Sequence, residues 1–162
     1  MDKMSLKERR QKTTKDVSSY NRFLWQRYSL AFLFFFNLNW MIFTLGSSSF
    51  FIVLLVLLVL CVLGLFEHVK LYGTHNKQLT KTKVVFTAQL GIAILMLISL
   101  LSEWLYKMMF PFLKYQQNAL ILVSIISLAI VVMCLLNLNT MNKIAQNKDS
   151  YYKKVVTVMN KY

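Results

Sequence analysis

Charged residues are scarce in this chain, and acidic residues are the scarcest of them. Of 162 residues only 15% are charged, and only 6 are Asp or Glu, whereas soluble domains carry about 25% charged residues. Hydrophobic residues make up 57% of the chain, above the usual share of about 45–50%. The length fits one domain. The composition therefore excludes an ordinary soluble domain, because the excess apolar side chains must face something other than water.

The sequence patterns of common catalytic sites are also missing. There is no H-E-x-x-H, P-loop, G-x-S-x-G or Cys/His cluster. Acid–base and nucleophilic chemistry needs positioned polar groups. The titratable candidates, Glu103, His68 and His75, fall on opposite sides of the predicted membrane. We therefore expect a protein that is not an enzyme and that has no cofactor and no metal site.

Cysteine, proline and glycine are few. The two cysteines, Cys61 and Cys134, lie inside apolar stretches, where a free thiol behaves as a small hydrophobe and not as part of a disulfide framework. The one proline, Pro111, lies between two such stretches, so it breaks no helix interior. There is no G-x-x-x-G motif, and close helix contacts would have to come from serines: Ser99, Ser102, Ser124 and Ser127.

Long apolar stretches dominate what is present. The clearest one, residues 50–66, reads FFIVLLVLLVLCVLGLF without a charge. A bilayer core about 30 Å thick needs about 20 apolar residues in a helix, and lipid cannot satisfy the open backbone groups of lone strands. The sequence therefore predicts an all-α integral membrane protein. Its four-helix bundle would have spans at about 28–45, 49–66, 84–106 and 117–137.

The positive charges are distributed unevenly around these stretches. Seventeen of the 19 Lys and Arg residues lie before the first span, between the second and third, or after the fourth. The first hairpin turn has none, and the loop after the third span has only Lys107 and Lys114. The positive-inside rule then places both termini in the cytoplasm. We expect a multi-pass protein of the cell membrane, and the excess of Lys over Arg indicates an AT-rich bacterial genome.

The segments outside the spans are basic. Residues 1–27 form a basic cytoplasmic segment before the membrane domain, 28–137, and residues 138–162 form a basic tail. In the tail, apolar residues recur at helical spacing, which predicts an amphipathic helix on the anionic inner leaflet. Its apolar residues are Tyr151, Tyr152, Val155, Val156 and Met159. This helix either only anchors the protein or docks a partner. The basic patches are short, scattered and already explained by topology, so nucleic acid is not expected as a partner.

Polar residues deep in the predicted spans are amides. Asn37 falls near the midplane, about 13 Å beyond Tyr28 at about 1.5 Å per residue, and Asn39 lies two residues further on. Gln89 and Asn137 fall near the cytoplasmic ends of their spans, where we predict a hydrogen bond between them. We interpret these four amides as intramembrane contacts that hold helices together. A contact with a partner subunit and a polar permeation path are the alternatives.

Titratable and aromatic residues at the span ends are expected to meet the headgroups. Glu67 and His68 end the second span, and Glu103 ends the third, four residues before Lys107, which is the favourable order for a helical ion pair. An aromatic belt is expected on the outer side: Trp104, Tyr106, Phe110, Phe112 and Tyr115.

These features favour a non-catalytic accessory or regulatory subunit of a larger membrane complex, such as a transporter or envelope machinery. One alternative is a small homo-oligomeric transporter or channel, which needs paired subunits and a polar or titratable group at mid-depth. Another is a membrane immunity or defence protein. The expected partners are the bilayer, with its anionic inner leaflet, and other membrane-protein subunits. The second span has the fewest polar groups and is predicted to face lipid or a partner.

Overall fold

The computed structural model describes residues 23–70 and 79–146. Within these two stretches the chain forms five helices and no strand, so the predicted all-α class is confirmed there. The N-terminal segment up to residue 22, and the tail from residue 147 with its predicted amphipathic helix, lie outside the described residues. The helices are α1 (Leu24–Thr44), α2 (Phe51–Lys70), α3 (Thr80–Ser99), α4 (Glu103–Met109) and α5 (Gln117–Ala145).

Three of the helices, α2, α3 and α5, are long and apolar enough to cross a membrane, which makes the fold compatible with a multi-pass membrane protein. Helix α1 is 21 residues long. It is not among these candidate spans, and it contains the polar residues Gln26, Arg27, Asn37 and Asn39.

Two helix ends differ from the predicted spans. Helix α3 stops at Ser99, and the rest of the predicted third span forms the separate helix α4. The backbone is extended at Ser102, with φ −135° and ψ 119°, so Ser102 precedes α4 as its N-cap residue, a position that serine favours. Helix α5 runs to Ala145, eight residues past the predicted span, because its last two turns still carry the buried side chains of Met141 and Ile144.

The four long helices form a ring in the order α1, α2, α3 and α5. Helix α3 packs extensively on α2 and α5, and α1 packs on α2, whereas α1 and α5 close the ring through fewer contacts. Gly64 lies where α1, α2 and α3 meet. A Cβ atom at Gly64 would lie 3.1 Å from the side chain of Leu30 and 3.3 Å from that of Val85. The absence of a side chain there therefore allows the close approach.

The two ends of the bundle are named here by residues of α1. At the Phe23 end, α1 and α3 begin, and α2 and α5 end. At the Trp40 end, the indole of Trp40 stacks on Phe110 with ring centroids 5.1 Å apart and donates a hydrogen bond to the Met109 carbonyl at 3.0 Å. The Ser48 hydroxyl also donates to the carbonyl of Met108, at 2.7 Å. These contacts fix α4 against the turn between α1 and α2.

The aromatic residues around α4 divide between surface and core. Trp104 is exposed, as an interfacial residue should be, but Tyr106 and Phe110 are buried in the core at the Trp40 end. Burial raises the pKa of the Tyr106 hydroxyl, and the nearby Tyr115 raises it further. The predicted belt therefore includes residues that pack the bundle instead of meeting headgroups.

Candidate functional site: the polar core of the bundle

The deepest polar contact joins α1 to α3. The side-chain nitrogen of Asn37 donates to the side-chain oxygen of Gln89 at 2.9 Å, and the Gln89 nitrogen lies 3.5 Å from the Asn37 oxygen. Both side chains are 0% exposed. These two helices stand diagonally in the ring and touch little elsewhere. The reciprocal amide pair is therefore the main polar link across the bundle.

Asn39, two residues further along α1, has no part in this pair. Its side-chain nitrogen donates to the backbone carbonyl of Phe35 on its own helix at 2.8 Å, and the side chain is exposed. Of the four predicted intramembrane contacts, Asn39 is therefore the one that lies on the outer surface of the bundle.

Asn137 bonds to α1 and not to Gln89. Its side-chain nitrogen donates to the hydroxyl of Ser29 at 3.0 Å and to the carbonyl of Met133 at 2.8 Å. The predicted bond between Gln89 and Asn137 is not formed, because α1 supplies a separate partner for each amide. Ser29 and Asn37 are eight residues apart on the buried face of α1, so the two contacts lie at different depths.

A cluster of buried polar side chains occupies the Phe23 end, and we call it the buried polar layer. It consists of Gln26, Ser29, His68, Thr82 and Asn137, each at most 5% exposed. All four long helices contribute to this layer. Sequence reasoning missed Gln26, Ser29 and Thr82. Helical spacing could have revealed the first two, because they begin the buried stripe of α1 that continues through Leu33, Asn37 and Trp40.

Glu67 caps the start of α3. Its two carboxylate oxygens accept hydrogen bonds from the backbone nitrogen of Lys81 at 3.0 Å and from that of Thr82 at 2.7 Å. The Thr82 hydroxyl also donates, at 2.9 Å. First-turn amides lack partners within their own helix and form the positive end of its dipole. Glu67 was expected to face headgroups, but it joins the end of α2 to the beginning of α3.

His68 was also expected at the headgroups, yet it is only 5% exposed. Its ring lies edge-on to Phe23, with centroids 6.4 Å apart.

By contrast, the predicted ion pair between Glu103 and Lys107 is confirmed, with an N–O distance of 2.7 Å. Because those two side chains are 58% and 63% exposed, their ion pair adds little stability.

Two grooves lie on the surface of the bundle. The first, about 340 Å³ in volume, is apolar and lies between α1 and α5. The second, about 320 Å³ in volume, opens at the Phe23 end. There the Lys83 ammonium donates to the side-chain oxygen of Asn142 at 3.3 Å. This second groove is lined by Phe23, Leu79, Thr80, Lys83, Met141, Asn142, Ile144 and Ala145.

Within residues 23–70 and 79–146, no three His, Cys, Asp or Glu side chains group as metal ligands.

Comparisons of the chain with protein-family models, with curated proteins and with solved structures found no match. The fold alone therefore defines the class of this protein. Its described part is all-helical, with three apolar helices compatible with a multi-pass membrane protein.

Proposed function

We propose that α1 is a fourth membrane span. At about 1.5 Å per residue, its 21 residues extend about 31 Å, close to the thickness of a bilayer core. Two of the polar residues that lower its hydropathy, Gln26 and Asn37, are buried inside the bundle. The opposite side of α1 presents Phe32, Phe35 and Ile42, all exposed. The surface that α1 offers to its surroundings is therefore suited to lipid.

Four spans place both termini on the same side of the membrane. The distribution of Lys and Arg supports a cytoplasmic location for both termini and for the Phe23 end, in a bacterial cell membrane. Fusing a reporter that is active only outside the cytoplasm to residue 146 should give no activity, whereas a fusion in the loop at residue 114 should be active. The reverse pattern would overturn this topology.

We propose that the protein is a non-catalytic accessory or regulatory subunit of a larger membrane complex. The observation that carries this proposal is the Asn37–Gln89 pair. A carrier or channel needs a polar or titratable group presented to its path at mid-depth. Here the deepest polar side chains bond to each other and are fully buried. Their role is then to hold α1 on α3, which favours a structural bundle over a permeation path.

The outer face of α2 is the surface that we assign to another subunit. It carries a continuous set of exposed aliphatic and aromatic residues and no charge before Glu67. These exposed residues include Ile52, Leu55, Val56, Val59, Leu63 and Phe66. Without interruption by a polar group, such a face can pack along a second apolar helix over its whole length.

The experiment is purification from the native host in gentle detergent, with identification of the proteins that co-purify. A Val59→Trp variant alters the α2 face, and Leu128→Trp alters a residue of α5 that is equally exposed. A specific partner should be lost with Val59→Trp and kept with the control. A lone monomer or homodimer that moves solute in liposomes would overturn the accessory role in favour of a transporter.

A further inference from the structure

The buried polar layer contains polar atoms that bond to no other described residue. Gln26 is 0% exposed, yet neither its amide oxygen nor its amide nitrogen has a hydrogen-bond partner in the described part of the chain. The same holds for Nε2 of His68 and for the side-chain oxygen of Asn137. An unpaired buried polar atom is costly, and native proteins rarely tolerate one. Four such atoms at one end of a bundle therefore point to a ligand.

These atoms belong to one place in the bundle. Phe23, Gln26 and Ser29 follow one another at three-residue spacing, so they lie on the same face of α1, and all three are buried. Phe23 contacts the ring of His68, and Ser29 bonds to Asn137. Gln26 therefore lies between the two contacts that bring His68 and Asn137 to α1.

The groove at the Phe23 end lies about one helical turn from this layer. Phe23, in the groove wall, precedes Gln26 by three residues, and Met141, also in the wall, follows Asn137 by four. Both wall residues are apolar and largely buried. Along the chain they are the wall residues nearest to Gln26 and Asn137, so a small molecule entering the layer from the groove would pass them.

Toward the Asn37–Gln89 pair, the polar side chains of the layer give way to apolar ones. On α1 and α3 the next buried residues in that direction are apolar and at most 1% exposed. They are Leu30, Leu33, Val85 and Phe86. On these two helices, apolar side chains therefore separate the layer from the Asn37–Gln89 pair.

The unpaired atoms define the chemistry of the ligand. The oxygens of Gln26 and Asn137 each need a donor, the Gln26 nitrogen needs an acceptor, and the His68 nitrogen can play either role. An anion without hydrogens would leave the two oxygens unmatched. A cation would leave the amide nitrogen unmatched, and both carboxylate oxygens of Glu67 are already engaged.

We propose that the buried polar layer binds a small uncharged molecule that carries both donors and acceptors, either water or an organic solute of that kind, and that it enters from the groove past Phe23 and Met141. Buried waters typically make about two to four hydrogen bonds, a range that includes the four unpaired atoms here. This pocket does not depend on the accessory role proposed above, since neither the α2 face nor the Asn37–Gln89 pair forms part of it.

The test is thiol modification of the full-length protein in membrane vesicles. In a background with Cys61→Ala and Cys134→Ala, Gln26→Cys is compared with Leu33→Cys, a fully buried position on the same face of α1. The probe is methyl methanethiosulfonate, which is small and uncharged. Because the thiolate is the reacting form and requires a polar environment, Gln26→Cys should react roughly tenfold faster. Equal rates at the two positions would overturn the proposal.

A second measurement guards against misfolding of the cysteine variant. If the layer is dry, Gln26→Leu removes an unpaired buried amide and should raise the Tm of the purified protein by several degrees. If the layer holds the proposed ligand, the substitution removes hydrogen bonds, and the Tm should stay the same or fall. A clear rise in Tm would therefore contradict the proposal without any cysteine variant.

Dialysis distinguishes the two kinds of ligand. If the ligand is water, extensive dialysis of the detergent-purified protein should leave the modification rate at Gln26→Cys unchanged and above that at Leu33→Cys. If an organic solute occupies the pocket, its loss on dialysis should make Gln26→Cys react faster still. If Gln26→Cys reacts at the same rate as the Leu33→Cys control both before and after dialysis, neither water nor an organic solute occupies the layer.

Discussion

Replacing Asn37 with Leu should leave the amide of Gln89 without a partner in the middle of the bundle. The pair is fully buried and reciprocal, and little else holds α1 to α3. Hydrogen bonds inside membranes average only about 0.6 kcal/mol, but an orphaned buried polar group costs about 1–3 kcal/mol. We therefore expect Asn37→Leu to lower the free energy of unfolding by about 1–2 kcal/mol, mainly through the stranded Gln89.

The double variant separates the bond from the stranded group. Asn37→Leu with Gln89→Leu removes both partners, and replacing both by apolar groups of similar size can be nearly neutral. The assay is denaturant unfolding in mixed micelles for the wild type, the two single variants and the double variant. Asn39→Leu is the matched control, because its amide is exposed and bonded to its own helix. If the losses in free energy of unfolding of the two single variants simply add in the double variant, the two amides do not depend on each other and the reasoning is refuted.

The other predictions concern the two ends of the bundle and the tail. Glu67→Ala should lower the free energy of unfolding by about 1–2 kcal/mol, because it uncaps α3, and the exposed Glu103→Ala should change it by less than about 0.5 kcal/mol; equal effects in denaturant titrations would contradict the capping role. Trp40→Phe keeps the ring stack but loses the bond to Met109, so the unfolding midpoint should fall by an amount equivalent to about 1 kcal/mol; an unchanged midpoint would count against that bond. Deleting residues 148–162 should leave the protein in the membrane fraction but reduce partner recovery in pull-downs, and full recovery would exclude docking by the tail.

The location of the apolar helices could be read directly from the sequence. Residues 50–66 correspond to most of α2 (Phe51–Lys70), and the fourth predicted span lies within α5 (Gln117–Ala145). The break after Ser99 could not be read in this way. Residues on both sides of the break are apolar, and hydropathy does not distinguish a continuing helix from a turn followed by a new one.

The identity of the polar residues in the bundle was also accessible, but their partners were not. Asn37, Gln89 and Asn137 stand out because amides are rare among aliphatic residues. Similar depth in the predicted spans is the only basis in the sequence for pairing Gln89 with Asn137. The partner of each amide depends on how the helices are arranged around the ring and on their relative axial positions, neither of which hydropathy encodes. Ser29, the partner of Asn137, carries no signal in a sequence read by hydropathy.

The sequence by itself indicated a lipid environment, because its long uncharged stretches suit a bilayer core. The placement of lysine and arginine predicted that both termini lie on the same side. Only the tertiary structure decided the uses of Glu67, His68 and Gln26. Sequence reasoning placed Glu67 and His68 at the membrane boundary and overlooked Gln26. The folded bundle makes Glu67 a helix cap and buries His68 and Gln26 beside the groove, because these roles depend on residues distant in the chain that meet only when the helices pack.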